Sequence, residues 1–180
     1  MPRLIPPTTT VHRSFMEALA ESPADPMYLV GMRFGDAAAE LSDPAEFATY
    51  VETVIADAQE KAPRPAGYVP STVLWFVEDD EFLGRLSIRH RLTPQLLELG
   101  GHIGYGVRPS ARRRGHATQM LIEALPIACD LGINPALVTC DADNIGSRKV
   151  IEAAVKDFGG WFDDRRGIKL RYWISTSRSG

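Results

Sequence analysis

The residues whose types and spacing suggest chemistry are Val107, Arg108 and Pro109, followed by Arg112, Arg113, Arg114, Gly115, His116, Ala117 and Thr118. A strand-like run over 101–107 precedes them, and 119–131 carries apolar residues at helical spacing. The basic segment is therefore read as the turn from a strand into a helix. The first N–H groups of a helix have no partner inside it, and the helix dipole adds partial positive charge there. Together they favour an anion such as a phosphate. Gly115 admits close approach of the backbone, Ala117 is the next smallest choice, and the arginines at 108, 112, 113 and 114 add full charges nearby. The chemistry expected is a pyrophosphate cradle made by the amides of 113–118, with the Thr118 hydroxyl as a further donor. The plainer alternative for the arginines is a solvated basic turn, with one of them pointing away from any ligand.

The elements that must position this turn follow from periodicity. Apolar alternation and β-branched content predict strands over 73–77 and 82–90, joined across the acidic residues 78–81, with Arg85, Ser87 and Arg89 on a wet face opposite Leu86 and Ile88. Further strands are predicted over 101–107, 136–140, 161–164 and 168–174, the last two as a hairpin through Arg165, Arg166 and Gly167. Residues 3–5 can hold a short edge strand before Pro6 and Pro7 break it. Helices are predicted after the capping threonines 8–10, with Phe15, Leu19 and Met16 on one face. A second helix starts after Ser42 or Asp43 and runs to about Lys61, with Phe47, Tyr50, Val51, Val54 and Ile55 buried. The helix after the cradle buries Met120, Leu121, Ala124, Leu125 and Ala128, and Pro126 is expected to kink it. The next helix starts at Asp143 or Asn144, buries Val150, Ile151 and Ala154, and stops at Gly159. Residues 22–40 and 91–100 read as connections. The class is α/β in the mixed α+β sense, with a mostly antiparallel sheet of about six to seven strands flanked by about four helices. The strand over 136–140 closes a βαβ unit with 101–107, and the sheet splays between these two parallel strands.

Arg112-x-x-Gly115-x-Ala117, with Val107-x-Pro109 just upstream, resembles the signature of the GNAT superfamily of acyl-CoA-dependent N-acetyltransferases. Asn144-Ile145-Gly146-Ser147 resembles the family's Asn-x-x-Ser/Ala element at the start of the following helix. The likeness covers roughly 72–174 and implies one such domain over 1–180. It implies acetyl-CoA as co-substrate, an amine acceptor, direct transfer in a ternary complex, and no metal. The backbone of Tyr105, Gly106 and Val107 would pair with the pantetheine arm, and the Val107 N–H would polarise the thioester carbonyl. Arg112–Thr118 would hold the pyrophosphate, and Asn144 and Ser147 would contact the pantetheine from the far side. For Asn144 the plainer role is a helix N-cap. Much of the family places an acidic tyrosine seven residues after the asparagine. Here that position is Ile151, as in the branch with Asn-x-x-Ser-x-x-Val-Ile-Glu, so another group or none protonates the leaving thiolate.

His102 on the central strand and Glu98 just before it are the candidate general bases, with a satisfied sheet histidine as the alternative for His102. His90 ends the neighbouring strand, and His116 is read as touching phosphate or solvent. Tyr105, Tyr172 and Trp173 are candidates for the acceptor pocket wall or for the core. Cys140 is read as a small buried strand residue rather than a nucleophile.

Composition narrows the rest. A net charge of −3 suggests no general nucleic-acid surface, and it suits a cationic amine. The two cysteines, Cys129 and Cys140, have no metal-binding or disulfide-framework spacing and fit a reducing cytoplasm. No apolar run reaches the roughly 18 residues of a membrane span, and the proline-rich first ten residues lack the core of a signal peptide. The acceptor stays open between a protein N-terminus, a lysine, a polyamine and a small amine. A homodimer is implied by resemblance alone. Two rivals are a non-catalytic acyl-CoA-binding module, suggested by Ile151, and a nucleotide-phosphate binder. The latter lacks the Gly-Lys-Ser/Thr ending needed to hold magnesium.

Overall fold

A computed structural model describes residues 1–21 and 37–177. Strands β1 (Arg3–Ile5), β2 (Ser71–Glu78), β3 (Glu81–Arg89), β4 (Ile103–Val107), β5 (Ala136–Asp141), β6 (Gly160–Arg166) and β7 (Lys169–Ile174) form one sheet in the order β1-β2-β3-β4-β5-β7-β6. Every neighbouring pair is antiparallel except β4 and β5. The helices are α1 (His12–Glu21), α2 (Ala37–Leu41), α3 (Pro44–Ala56), α4 (His116–Asp130) and α5 (Ile145–Phe158). The mixed, mostly antiparallel architecture expected from the sequence is the one observed.

Two apolar cores form because each face of the sheet is covered by its own helices. On one face Leu86, Ile88, Ile103 and Val138 pack under Met120, Leu121, Ala124 and Leu125 of α4 and Ile151 and Ala154 of α5. On the other, Val73, Trp75 and Phe82 pack under Phe15 of α1 and Phe47, Tyr50 and Val54 of α3. Phe15 stacks on Trp75 at 5.0 Å and meets Phe82 edge-on at 5.0 Å, which fixes α1 against the β2–β3 hairpin.

Several boundaries differ from those expected. The 22–40 stretch is not wholly irregular: Ala37–Leu41 is helical, as its alanines favour, while 22–36 lies outside the described residues. Helix α3 stops at Ala56, and Ile55 is exposed rather than part of the stripe. The chain turns away there because the Asp57 carbonyl accepts the Ser71 N–H at 3.1 Å and the Arg64 guanidinium at 3.1 Å. The 91–100 connection contains a π-helical turn, Leu96–Gly100. Pro126 lies exposed within α4, which continues to Asp130 despite the missing donor. Gly101 is left out of β4. Its φ is 65° and a Cβ there would stand 2.5 Å from the Leu137 carbonyl, a conformation and a closeness that suit glycine. The face carrying Arg85, Ser87 and Arg89 is not wet either: Ser87 is buried and both arginines are half-buried. No helix among the described residues is long and apolar enough to cross a membrane.

Candidate active site

The site is set by where β4 and β5 stop pairing. Their ladder holds one register position, Ile103 with Val138. Beyond it the strands diverge toward the starts of α4 and α5. Ladder parity decides which backbone groups face the gap. Arg108 N–H bonds the Leu83 carbonyl at 2.9 Å, so Gly84 and Val107 are a non-hydrogen-bonded pair. The N–H and carbonyl of Val107, and those of Tyr105 two residues back, therefore point away from β3 and into the gap. Beyond Ile103 these groups form a backbone edge that β5 does not pair with. A glycine at 84 is what lets β3 hold β4 in place, since a Cβ there would lie 2.4 Å from the Gly106 carbonyl.

Past Val107 the chain makes a 3-10 turn, Pro109–Ala111, and then enters α4. Arg113 and Gly115 both take positive φ, 66° and 83°. Alternating left-handed residues form a backbone nest suited to an anion. Gly115 is the N-cap of α4 and offers no side chain to its first amides, so those of His116, Ala117 and Thr118 are left for a ligand. A Cβ on Gly115 would meet no atom within 4 Å. The space beside it is open, as a cradle requires.

The arginines divide. Arg112, Arg113 and Arg114 are exposed at the nest, and Arg112 Nε donates to the Val107 carbonyl at 3.0 Å. Arg108 is buried and is the arginine that points away from the nest. Its guanidinium pairs with Glu21 of α1 and donates to the Ser14 hydroxyl at 3.0 Å and the Phe82 carbonyl at 3.2 Å. Glu21 also accepts the Ser110 N–H at 2.9 Å and the Ser110 hydroxyl at 2.8 Å. Burial pushes the Glu21 carboxyl up, but the bonds from Arg108 and Ser110 outweigh it and hold it below the usual range. Glu21 was not foreseen, because nothing local links position 21 to position 108.

Across the gap, the Asn144 side chain accepts the Ser147 N–H at 3.0 Å and so caps α5. The Tyr105 hydroxyl meets Ser147 Oγ at 2.8 Å, joining β4 to α5. Burial, its largest influence, pushes the Tyr105 phenol upward, so it stays protonated. Ile151 is fully buried. Cys140 is buried and its thiol is pushed up by burial and then by Asp141. His116 is half-buried with its ring 5.5 Å from that of Phe76.

His102 lies on the other face of the sheet. Its Nδ1 accepts the Leu137 N–H at 2.9 Å, which places the proton of the neutral ring on Nε2. Burial, then the nearby Arg89 charge, depresses it to about 4. Trp173 stands edge-on to it at 6.4 Å, whereas Tyr172 is buried on the α5 face. Glu98 is half-exposed and accepts Arg166 Nη1 at 3.4 Å, so the structure gives the two candidate bases separate partners. His90 Nε2 meets Thr72 Oγ1 at 2.8 Å at the end of β3. Among the described residues no cluster of three or more His, Cys, Asp or Glu is arranged to hold a metal ion.

The same architecture is found in solved acetyltransferases. RimJ of Mycobacterium smegmatis, in complex with CoA-disulfide, aligns with a TM-score of 0.64 at 18% identity over 97% of this chain and 81% of its own. The microcin C7 self-immunity acetyltransferase MccE, bound to acetyl-CoA and AMP, aligns at 0.60 with 12% identity, covering 97% and 92%. RimL, a ribosomal L7/L12 alpha-N-protein acetyltransferase bound to coenzyme A, aligns at 0.59 with 15% identity, covering 97% and 94%. A search of curated proteins returned no match. The model of the acetyltransferase (GNAT) domain matches residues 13–154, from the start of α1 into α5, so the chain belongs to the GNAT acetyltransferase family.

Proposed function

We propose that this chain is an N-acetyltransferase that moves the acetyl group of acetyl-CoA directly to a primary amine, residues 1–180 acting as one domain. The observation that carries the reading is the gap between β4 and β5, opening onto the uncapped start of α4 beside Gly115. The residues present fit the co-substrate. The amides of Arg113–Thr118, with the Arg112–Arg114 charges, suit a pyrophosphate, and the Tyr105 and Val107 backbone edge suits the amide-bearing pantetheine arm. The neutral amine attacks the acetyl carbon, forming the C–N bond as the C–S bond breaks. The nitrogen gives up a proton and the thiolate accepts one. The Val107 N–H stands where it can stabilise negative charge developing on the thioester oxygen. The Tyr105 and Ser147 hydroxyls are donors beside the gap, which Ile151 is not. His102 has its Nδ1 lone pair engaged by Leu137, so we assign it to donation rather than to the base. The unpaired thiols Cys129 and Cys140 suit a reducing compartment such as the cytoplasm.

Calorimetric titration with acetyl-CoA tests this, run beside an Arg112→Ala, Gly115→Glu double variant. The glutamate meets no protein atom near its Cβ, so it blocks the cradle at the cost of about 1–3 kcal/mol of backbone strain. Micromolar binding by the wild type, lost in the folded variant, is expected. No binding by folded wild type sinks the proposal. Binding without CoA release from any amine favours the non-catalytic module that Ile151 suggests.

A further inference from the structure

The face of β3 and β4 turned away from α4 and α5 carries an arrangement of donors that the reaction itself does not require. Ser87 lies opposite Gly104 in the ladder, and Arg89 and His102 follow on the same face. A Cβ on Gly104 would meet Arg89 Nη2 at 3.5 Å, Arg89 Nη1 at 3.7 Å and Ser87 Oγ at 3.7 Å. A guanidinium and a hydroxyl thus converge over the middle of the strand whose other edge faces the gap. The Nη1 of Arg89 donates to the carbonyls of Gly100 and Gly101, each at 3.1 Å, which fixes the fork and leaves Nη2. Those partners are neutral. Among the described residues no carboxylate lies within ion-pair distance of Arg89. Burying a cation without a counter-charge is costly, and a ligand carrying one relieves that cost. His102 adds the Nε2 proton as a further donor. Acids around this face are paired elsewhere: Asp57 with Arg64 at 3.4 Å, Glu98 with Arg166, and Asp163 and Asp164 with Arg171 at 3.3 and 2.9 Å. Among the described residues a second ammonium on the acceptor finds no uncommitted carboxylate here, while an oxyanion finds donors.

We propose that the amine acceptor bears an oxyanion, carboxylate or phosphate, within a few bonds of its amine, and that Arg89, with Ser87 and His102, binds it. This rests on the N-acetyltransferase reading above. Net charge alone, which is also compatible with a cationic amine, does not point to such an acceptor. The arrangement discriminates against diamines through a guanidinium that has no acid paired with it among the described residues.

The test is CoA release from acetyl-CoA by the full chain with a matched set of amines. Glycine and β-alanine supply a carboxylate and O-phosphoethanolamine a phosphate. Glycinamide and ethanolamine are neutral counterparts, and putrescine is a dication. The wild type is expected to prefer an anionic member over its neutral counterpart by about tenfold or more in kcat/KM, equivalent to about 1.4 kcal/mol. Which anionic arm wins identifies the oxyanion. In Arg89→Gln the anionic-to-neutral ratio of kcat/KM collapses toward one, through a higher KM for the anionic amine. Arg89→Lys keeps the charge without the fork and retains part of it. Because each readout is a ratio between two acceptors on one protein, a loss of folded fraction cancels. Equal use of anionic and neutral amines, preference for putrescine, or proportional loss on all amines in Arg89→Gln overturns the inference while leaving the acetyltransferase reading intact. Release from no member despite acetyl-CoA binding overturns it as well. Failure to bind acetyl-CoA removes the acetyltransferase reading and this inference together.

Discussion

At the scale of single residues, the thiol Cys140 and the candidate base His102 are held by their surroundings in forms that limit catalysis. Cys140 is a buried strand thiol pushed away from the thiolate form, so direct transfer without an acyl-enzyme is expected. Cys140→Ala keeps kcat within about threefold of wild type, and the burst of an acyl-enzyme is absent in stopped-flow traces. His102 is the sharper case. Its folded value near 4 lies below the ordinary 6.5, so between those values the unfolded chain binds the proton and the folded one does not. Stability therefore falls as pH drops from about 6.5 toward 4, and is flat above that window. His102→Asn, whose side-chain oxygen can accept the Leu137 N–H, removes the dependence. Thermal melts across pH 4–7 should show the wild type losing more stability with acid than the variant. The sequence placed His102 on the central strand and left it between base and sheet histidine. Only the Leu137 hydrogen bond, 35 residues away in the chain, separates those roles.

At the scale of elements, the cradle was legible because it is local: Val107 to Thr118 contains its own turn, nest and helix start. What steadies it was not legible. One of the four arginines was expected to point away from the ligand, but not which; it is Arg108, whose side chain runs under α1 to Glu21, a contact across 87 residues. The π-helical turn and the left-handed Gly101 were hidden for a similar reason, since the Leu137 carbonyl imposes the second and no spacing rule predicts the first. The Arg108–Glu21 pair ties α1 to the strand-to-cradle corner, and Ser110 is held by the same carboxylate. Arg108→Ala leaves Glu21 without its main partner in a partly buried place and is expected to cost about 3 kcal/mol in urea unfolding. Glu21→Gln, which keeps the hydrogen-bonding shape, should cost less. If the corner matters to the cradle, acetyl-CoA affinity falls in both variants. An unchanged affinity would show that the pair serves folding alone.

At the scale of the whole molecule, the elements and their apolar faces followed from hydrophobic period, whereas the order of the sheet, its two cores and the meaning of the β4–β5 gap followed from the packed structure. The halves β1-β2-β3-β4 and β5-β7-β6 share one ladder position, and beyond it their link passes through α4 against α5 and the Tyr105–Ser147 bond. Backbone groups of Tyr105 and Val107 that face the gap are unpaired by β5, which is a deficit of stability built into the middle of the protein. A ligand that inserts its amides there restores strand-like bonding and joins the halves. Acetyl-CoA at about a hundred times its Kd stabilises by about 2.7 kcal/mol through mass action, which for a chain of this length raises Tm by about 5–10 °C. The Gly115→Glu variant should melt up to about 10 °C below wild type when unliganded, as its backbone strain dictates, and show no rise on adding acetyl-CoA. Hydrogen exchange locates the effect: protection is expected at Tyr105, Val107 and the first amides of α4, because those are the groups left open by the gap. A rise in Tm without protection there would mean that the ligand binds somewhere other than between the halves.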